Sequence, residues 1–106
     1  MKTVYPLRVI GESMQPLLRH GALVAVTAVA PTTPLRAGDV VVARRPDRPE
    51  IDMVKRVQSI DASGALFLVG DNPAASTDSR TFGPVPRDLV LARVRWRYWP
   101  LPPRRC

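Results

Sequence analysis

A mainly β fold is predicted for this chain, and three observations predict it. Twelve prolines are spread along 106 residues, several apolar stretches alternate with polar residues, and Gly, Pro, Asn and Asp clusters punctuate them. Proline inside a helix removes a hydrogen bond and clashes with the preceding turn, so this density disfavours long helices. The length suits one domain with one modest core. The expected architecture is a single compact domain of short, partly closed β-sheets with one short helix after Ser13.

The first strand runs from Val4 to Ile10 and ends at Gly11. Ser13 is placed to cap a short helical turn reaching Arg19, with Gly21 ending it, so the serine falls at a strand-to-helix junction. Leu23 to Val29 is the second strand, Pro31 to Arg36 a loop, and Gly38-Asp39 a turn into the apolar run Val40 to Ala43. Arg44 to Glu50, with two prolines among its charges, reads as a solvated hairpin tip.

From Ile51 the alternation assigns faces. Ile51, Met53, Lys55 and Val57 share one, and Asp52, Val54 and Arg56 the other, so Lys55 points with apolar residues. Asp61 to Gly64 is a turn and Ala65 to Val69 a strand. Gly70 to Pro86 is a long irregular segment, and a loop of that length in so small a domain is usually functional. Leu89 to Tyr98 is the last strand, with Arg93, Arg95 and Arg97 alternating against Val94, Trp96 and Tyr98. Residues 1–98 are thus expected to form the core and 99–106 a flexible Pro/Arg-rich tail.

Composition excludes several classes. Hydrophobic residues are 45% and charged residues 24% of the chain, proportions of a globular protein. The single cysteine, Cys106, allows no internal disulfide, and with only His20 beside it no metal site is expected. No cofactor is expected either. The N-terminus lacks the apolar core of a secretory signal, and the longest apolar stretch, Ala22 to Ala30, is half of what a bilayer-spanning helix needs. The formal charge of +7 is compatible with nucleic acid, an anionic membrane surface or an acidic protein partner. It is spread along the chain, and nucleic acid is not the expected partner.

Of the sixteen basic residues, only Lys2 and Lys55 are lysines. An ammonium on an apolar face loses hydration, which disfavours its charged form, and a neutral lysine near a hydroxyl is a general base. The bland alternative is a lysine that snorkels past Met53 and Val57 to solvent. Ser13 is either a simple helix N-cap or a nucleophile, and the same junction supplies N–H groups able to face an oxyanion. His20, seven residues along a helix, would lie roughly 10 Å away, too far to activate Ser13 unless the chain folds back. Gly70, Asp71 and Asn72 form a turn, followed by the Ser76 hydroxyl and an Asp78/Arg80 pair that can brace a loop.

Taken in order, Ser13-Met14-Gln15-Pro16, Lys55-Arg56 and Gly70-Asp71-Asn72 leading to Ser76, Asp78, Ser79, Arg80 and Gly83 resemble the signal peptidase I family of serine proteases. The stretch from Gly11 to Val85 that carries them is about three quarters of the chain. The resemblance implies a signal-peptidase or repressor type of catalytic core. It implies a Ser/Lys dyad in which Ser13 attacks the scissile carbonyl and Lys55 takes its proton. Ser76 would orient the lysine, and Asp78 with Arg80 would hold the loop carrying Ser76. The Ser13 backbone N–H would serve the oxyanion, and Met14 and Pro16 would set shape. Some members add a hydroxyl two residues before the nucleophile, where this chain has Gly11.

Signal peptidases ordinarily carry an N-terminal membrane anchor and often a β-rich insertion after the lysine. Here twelve residues precede Ser13 and fourteen separate Lys55 from Gly70, and neither part is expected. Small anchorless members of this kind resemble the nickel-type superoxide dismutase maturation proteases, which remove a short N-terminal leader. The expected partner is therefore a precursor protein with such a leader, and the expected location is the cytoplasm, with peripheral membrane contact as a variant. The alternatives are a membrane-surface signal peptidase whose Trp96, Tyr98, Trp99 and arginine-rich end touch lipid, or a noncatalytic basic binding module using Arg93 to Arg97. A self-cleaving repressor would need a DNA-binding domain and a cleavage site upstream of Ser13, for which the chain has no room.

Overall fold

Val40, Val41, Val42 and Ala43 are all buried, although successive residues of a strand point to opposite faces. The reason is that their strand is central and covered on both sides. The computed structural model describes residues 3–106, so Met1 and Lys2, which open the expected core range, lie outside the described residues. Seven strands form one antiparallel sheet: β1 (Val4–Arg8), β2 (Leu23–Ala28), β3 (Val40–Arg45), β4 (Arg48–Ile60), β5 (Leu66–Val69), β6 (Val90–Trp99) and β7 (Arg104–Arg105). The spatial order is β1-β2-β6-β3-β4-β5, with β7 added to β6, and the sheet does not close on itself.

Each face of the sheet has its own apolar cluster. Val40 and Val42 join Val9, Met14, Leu18, Val24, Val26, Ala92 and Val94 in one. Val41 and Ala43 join Val57, Leu66, Leu68, Val85 and Val90 in the other. The expected mainly β architecture is what the chain adopts, and the strand limits agree with the sequence reading to within a few residues, except that β4 starts at Arg48. The hairpin tip is the two-residue Pro46-Asp47 turn, braced by Arg45 Nε and Nη2 donating to Asp47 at 2.6 and 2.9 Å.

Three expectations are corrected. Ser13 to Arg19 is a run of turns with a single i to i−4 bond, Leu18 N–H to Met14 O at 2.8 Å; the one α-helix among the described residues is α1 (Ser79–Phe82). Gln15-Pro16 cannot extend a helical ladder, since proline brings no N–H. Asp78 caps α1 by accepting from Arg80 N–H, and Gly83, at φ 85°, ends it. The segment Pro100 to Cys106, expected to be unstructured, carries β7. Beyond Arg93 the side of β6 that faces β3 has no β3 partner, and Arg104 and Arg105 pair there with Arg97 and Trp96. Finally, Ile51 is 37% exposed although it shares a face with Val57, because the hairpin arm extends past the sheet that covers Lys55.

No helix among the described residues is long and apolar enough to cross a membrane.

Candidate active site

Lys55 stands opposite Val41 in the β3–β4 ladder and is 5% exposed, beside Val57 at 1%. The period-two reading therefore placed it correctly. Burial depresses its pKa below the usual lysine range; the Asp78 carboxylate works against that shift, while Arg80 and Arg45 add to it. Its Nζ donates to Ser76 Oγ at 3.2 Å, and Ser76 Oγ in turn donates to Asp78 Oδ2 at 2.5 Å. A neutral amine anchored through one N–H keeps its lone pair pointing elsewhere, which is the form a general base requires.

Asp78 is the most heavily used side chain of the loop. At 1% exposure it accepts from Ser76, from Gly70 N–H at 2.9 Å, from Arg80 N–H at 3.1 Å and from Arg80 Nε and Nη2 at 2.9 and 2.5 Å. Burial alone would push its pKa up, but these donors, Arg80 first, outweigh it and hold the carboxyl well below the usual range. Arg80 therefore screens Lys55 from the full charge of Asp78. Replacing it, as in Arg80→Gln, is expected to move the acid limb of the pH–rate profile to higher pH. The direction follows because Lys55 would lose a repelling cation and face an unneutralised carboxylate, both favouring its protonated form. A pH series of kcat/KM checks this.

The Gly-Asp-Asn turn is the mechanical link between this loop and Ser13. Asn72 N–H donates to Ser13 O at 2.8 Å and Asn72 Nδ2 to Glu12 O at 3.1 Å. Asp71 receives Arg56 Nε and Nη2, both at 2.8 Å, tying the loop to the residue after Lys55. Gly70 is needed for closeness: a Cβ there would sit 2.6 Å from Ser13 O and closer still to Ser76 Oγ. Gly70→Ala is expected to cost about 1–3 kcal/mol and to reduce any activity that depends on Ser13, measured by chemical denaturation alongside an activity assay.

Ser13 and Lys55 line one cleft of about 300 Å³, together with Leu7, Arg8, Ile10, Val42, Asp52, Met53 and Val54. The structure thus brings Ser13, Lys55, Ser76, Asp78 and Arg80 to one end of the sheet. Four consecutive residues of β4 line the cleft, so it meets the edge of that strand and not one of its faces. No strand among the described residues pairs with Arg48 to Lys55 on the side away from β3, since β5 pairs only from Arg56 onward. Among the described residues, no acceptor takes the Ser13 N–H. Met14 lies fully buried in the first apolar cluster, while Pro16 is exposed.

Sequence reasoning missed the lining residues, because strand alternation assigns faces and says nothing about which edge stays open. It named Ser79 within the motif but gave it no role; its buried Oγ accepts Leu68 N–H at 2.9 Å and pins α1 to β5. The run Ser-x-Asp-Ser carried that signal. The sequence reading placed His20 too far from Ser13 along a helix; instead the chain folds back, and His20 Nδ1 accepts Gly11 N–H at 2.9 Å.

A sheet end that gathers a buried lysine, two serines and a braced carboxylate belongs to a peptidase: residues 1–83 match the family model described as Peptidase S24-like, and the chain belongs to that family. Every motif segment from Ser13 to Gly83 lies inside that match. Among individual proteins, the chain is 32% identical over 111 residues to mitochondrial inner membrane protease subunit 1 of Xenopus tropicalis, covering 86% of this chain and 66% of that protein. It is 30% identical to subunit 1 of Homo sapiens, with 86% and 67% covered. Against mitochondrial inner membrane protease subunit 2 of Mus musculus it is 29% identical over 131 residues, with 93% and 75% covered. The chain spans between about half and two thirds of the length of the subunit 1 proteins it matches.

Proposed function

We propose that this peptidase is a serine endopeptidase that removes a short N-terminal leader from a precursor protein, with Ser13 as nucleophile and Lys55 as general base. The observation that carries the reading is the buried Lys55, oriented by Ser76 and opening onto the same cleft as Ser13. Ser13 Oγ attacks the scissile carbonyl carbon as its proton passes to Lys55 Nζ. The oxyanion faces the Ser13 N–H. Collapse of the tetrahedral intermediate breaks the C–N bond, and the Lys55 ammonium protonates the departing amine. Water, deprotonated by Lys55, then hydrolyses the ester on Ser13 and restores both groups.

The cleft suits an extended peptide. An added strand can run between the open edge of β4 and the end of β1, with side chains entering the Leu7, Val42 and Val54 wall. Those walls favour small apolar residues before the cut. The short link between Lys55 and Gly70 supports the nickel-type superoxide dismutase precursor as substrate. The relatives' names favour a second reading, a leader peptidase working at a membrane surface, for which exposed Trp96 and Trp99 offer contact. Incubating the purified protein with that precursor and sequencing the product's new N-terminus tests the first reading. A leader cut that vanishes in Ser13→Ala supports it. Cleavage of the precursor only in the presence of vesicles moves the assignment to the second reading, and no cleavage under either condition sinks both.

A further inference from the structure

The approach to the nucleophile, from Val9 to Ser13, is held at its ends and at one point between. At its base Val9 N–H donates to Ala22 O and Gly21 N–H to Val9 O, at 2.8 and 2.7 Å. At its far side Asn72 holds the carbonyls of Glu12 and Ser13. Between lie Ile10, 73% exposed, and Gly11, which adopts a φ of 87° and, lacking a Cβ, restrains the backbone less than any other residue. The one side chain among the described residues that holds this stretch is His20, through the 2.9 Å bond from Gly11 N–H to Nδ1.

We propose that His20 is a positioning residue for Ser13: its neutral imidazole, by accepting the Gly11 N–H, sets the backbone two residues before the nucleophile. The inference rests on the peptidase reading above. Its logic is geometric. The direction of the Ser13 N–H, which faces the oxyanion, depends on the torsions of Gly11 and Glu12; Asn72 and Gln15 hold the Glu12 carbonyl, and His20 is the one side chain among the described residues that holds Gly11. The acceptor is a lone pair, so a protonated imidazole, which donates at both nitrogens, cannot make this bond. Further along the same turn, Arg97 of β6 donates through Nη1 to Leu17 O at 3.1 Å. Arg19 is turned onto the Trp99 ring, 5.0 Å from its centroid, and no ion pair among the described residues includes His20.

The test compares wild type, His20→Ala and His20→Asn on a quenched peptide with alanines before the cut, with Ser13→Ala as the inactive control. Asparagine places Oδ1, an acceptor, where Nδ1 stood. His20→Ala is expected to lower kcat about fivefold, as loss of one partly solvated hydrogen bond implies, with a smaller change in KM, and His20→Asn to restore it. Amide exchange at Gly11 is expected to quicken in His20→Ala alone. Wild-type kcat in His20→Ala, equal slowness in both variants, or an unchanged Gly11 amide overturns the inference while leaving the peptidase reading intact. A wild-type protein with no Ser13-dependent cleavage overturns the peptidase reading, and this inference with it.

Discussion

Lys55→Met is expected to lower kcat/KM by about 10²–10⁴-fold, the range a positioned general base contributes, while leaving the fold at least as stable as wild type at neutral pH. Methionine keeps the length and apolar stem of lysine, so the contacts with Val41 and Val57 persist. What disappears is the amine and the cost of desolvating it. That cost has a pH signature. The folded-state pKa is depressed by burial, so the unfolded chain holds a proton that the folded one releases, and wild-type stability rises with pH through the window between the lowered value and the ordinary 10.5. The advantage of Lys55→Met is therefore largest at neutral pH and shrinks toward pH 10. Thermal melts of both proteins across that range check it. A variant that loses activity and melts earlier at every pH would show Lys55 to be a packing residue.

Asp78→Ala is expected to be the most destabilising single change in the site loop, by about 2–4 kcal/mol. The range starts from the cost of removing one partner of a buried ion pair, and is discounted because Arg80 is 44% exposed and returns to water. The buried Gly70 N–H has no such escape, and both it and the half-buried Ser76 hydroxyl lose their acceptor. For a domain of this size the shift in Tm is roughly 10 °C or more. Because the Asp78 pKa is held low in the fold, its contribution is fully present above the ordinary carboxylate range and is lost as pH falls below it. Wild type and Asp78→Ala should therefore differ most at pH 7 and converge in acid. Urea denaturation at pH 7 and pH 3 distinguishes this from a simple packing defect, whose effect would not depend on pH. Activity should fall as well, since Ser76 then has nothing to orient it toward Lys55.

How far these roles could be read in advance depended on range along the chain. The burial of Lys55 follows from a period of two shared with Val57, a local property of one strand. The brace of Asp78 and Arg80 is also local, two residues apart around a helix cap. Ser79, equally close, was passed over because its partner is the N–H of Leu68, across the fold. The cleft depends on where β5 stops pairing with β4, which no single segment encodes. β7 exists because β3 leaves part of β6 uncovered, again a matter of registers between distant strands. His20 shows the same limit: its distance from Ser13 was judged along a helix, and Pro16 within the turn lets the chain double back.

The unpaired stretch of β4 has a further consequence, for the behaviour of the protein at high concentration. Backbone groups open to an extended peptide can also receive the same strand from another molecule, because strand addition is selective in its side chains and indifferent in its main chain. Pro49, which has no N–H to give, and the alternating charges of Arg48, Glu50 and Asp52 work against a flat, continuous pairing of two such edges. They leave a short landing strip next to Lys55, and so the strand's defence against self-association also limits the length of any extended chain that can pair there.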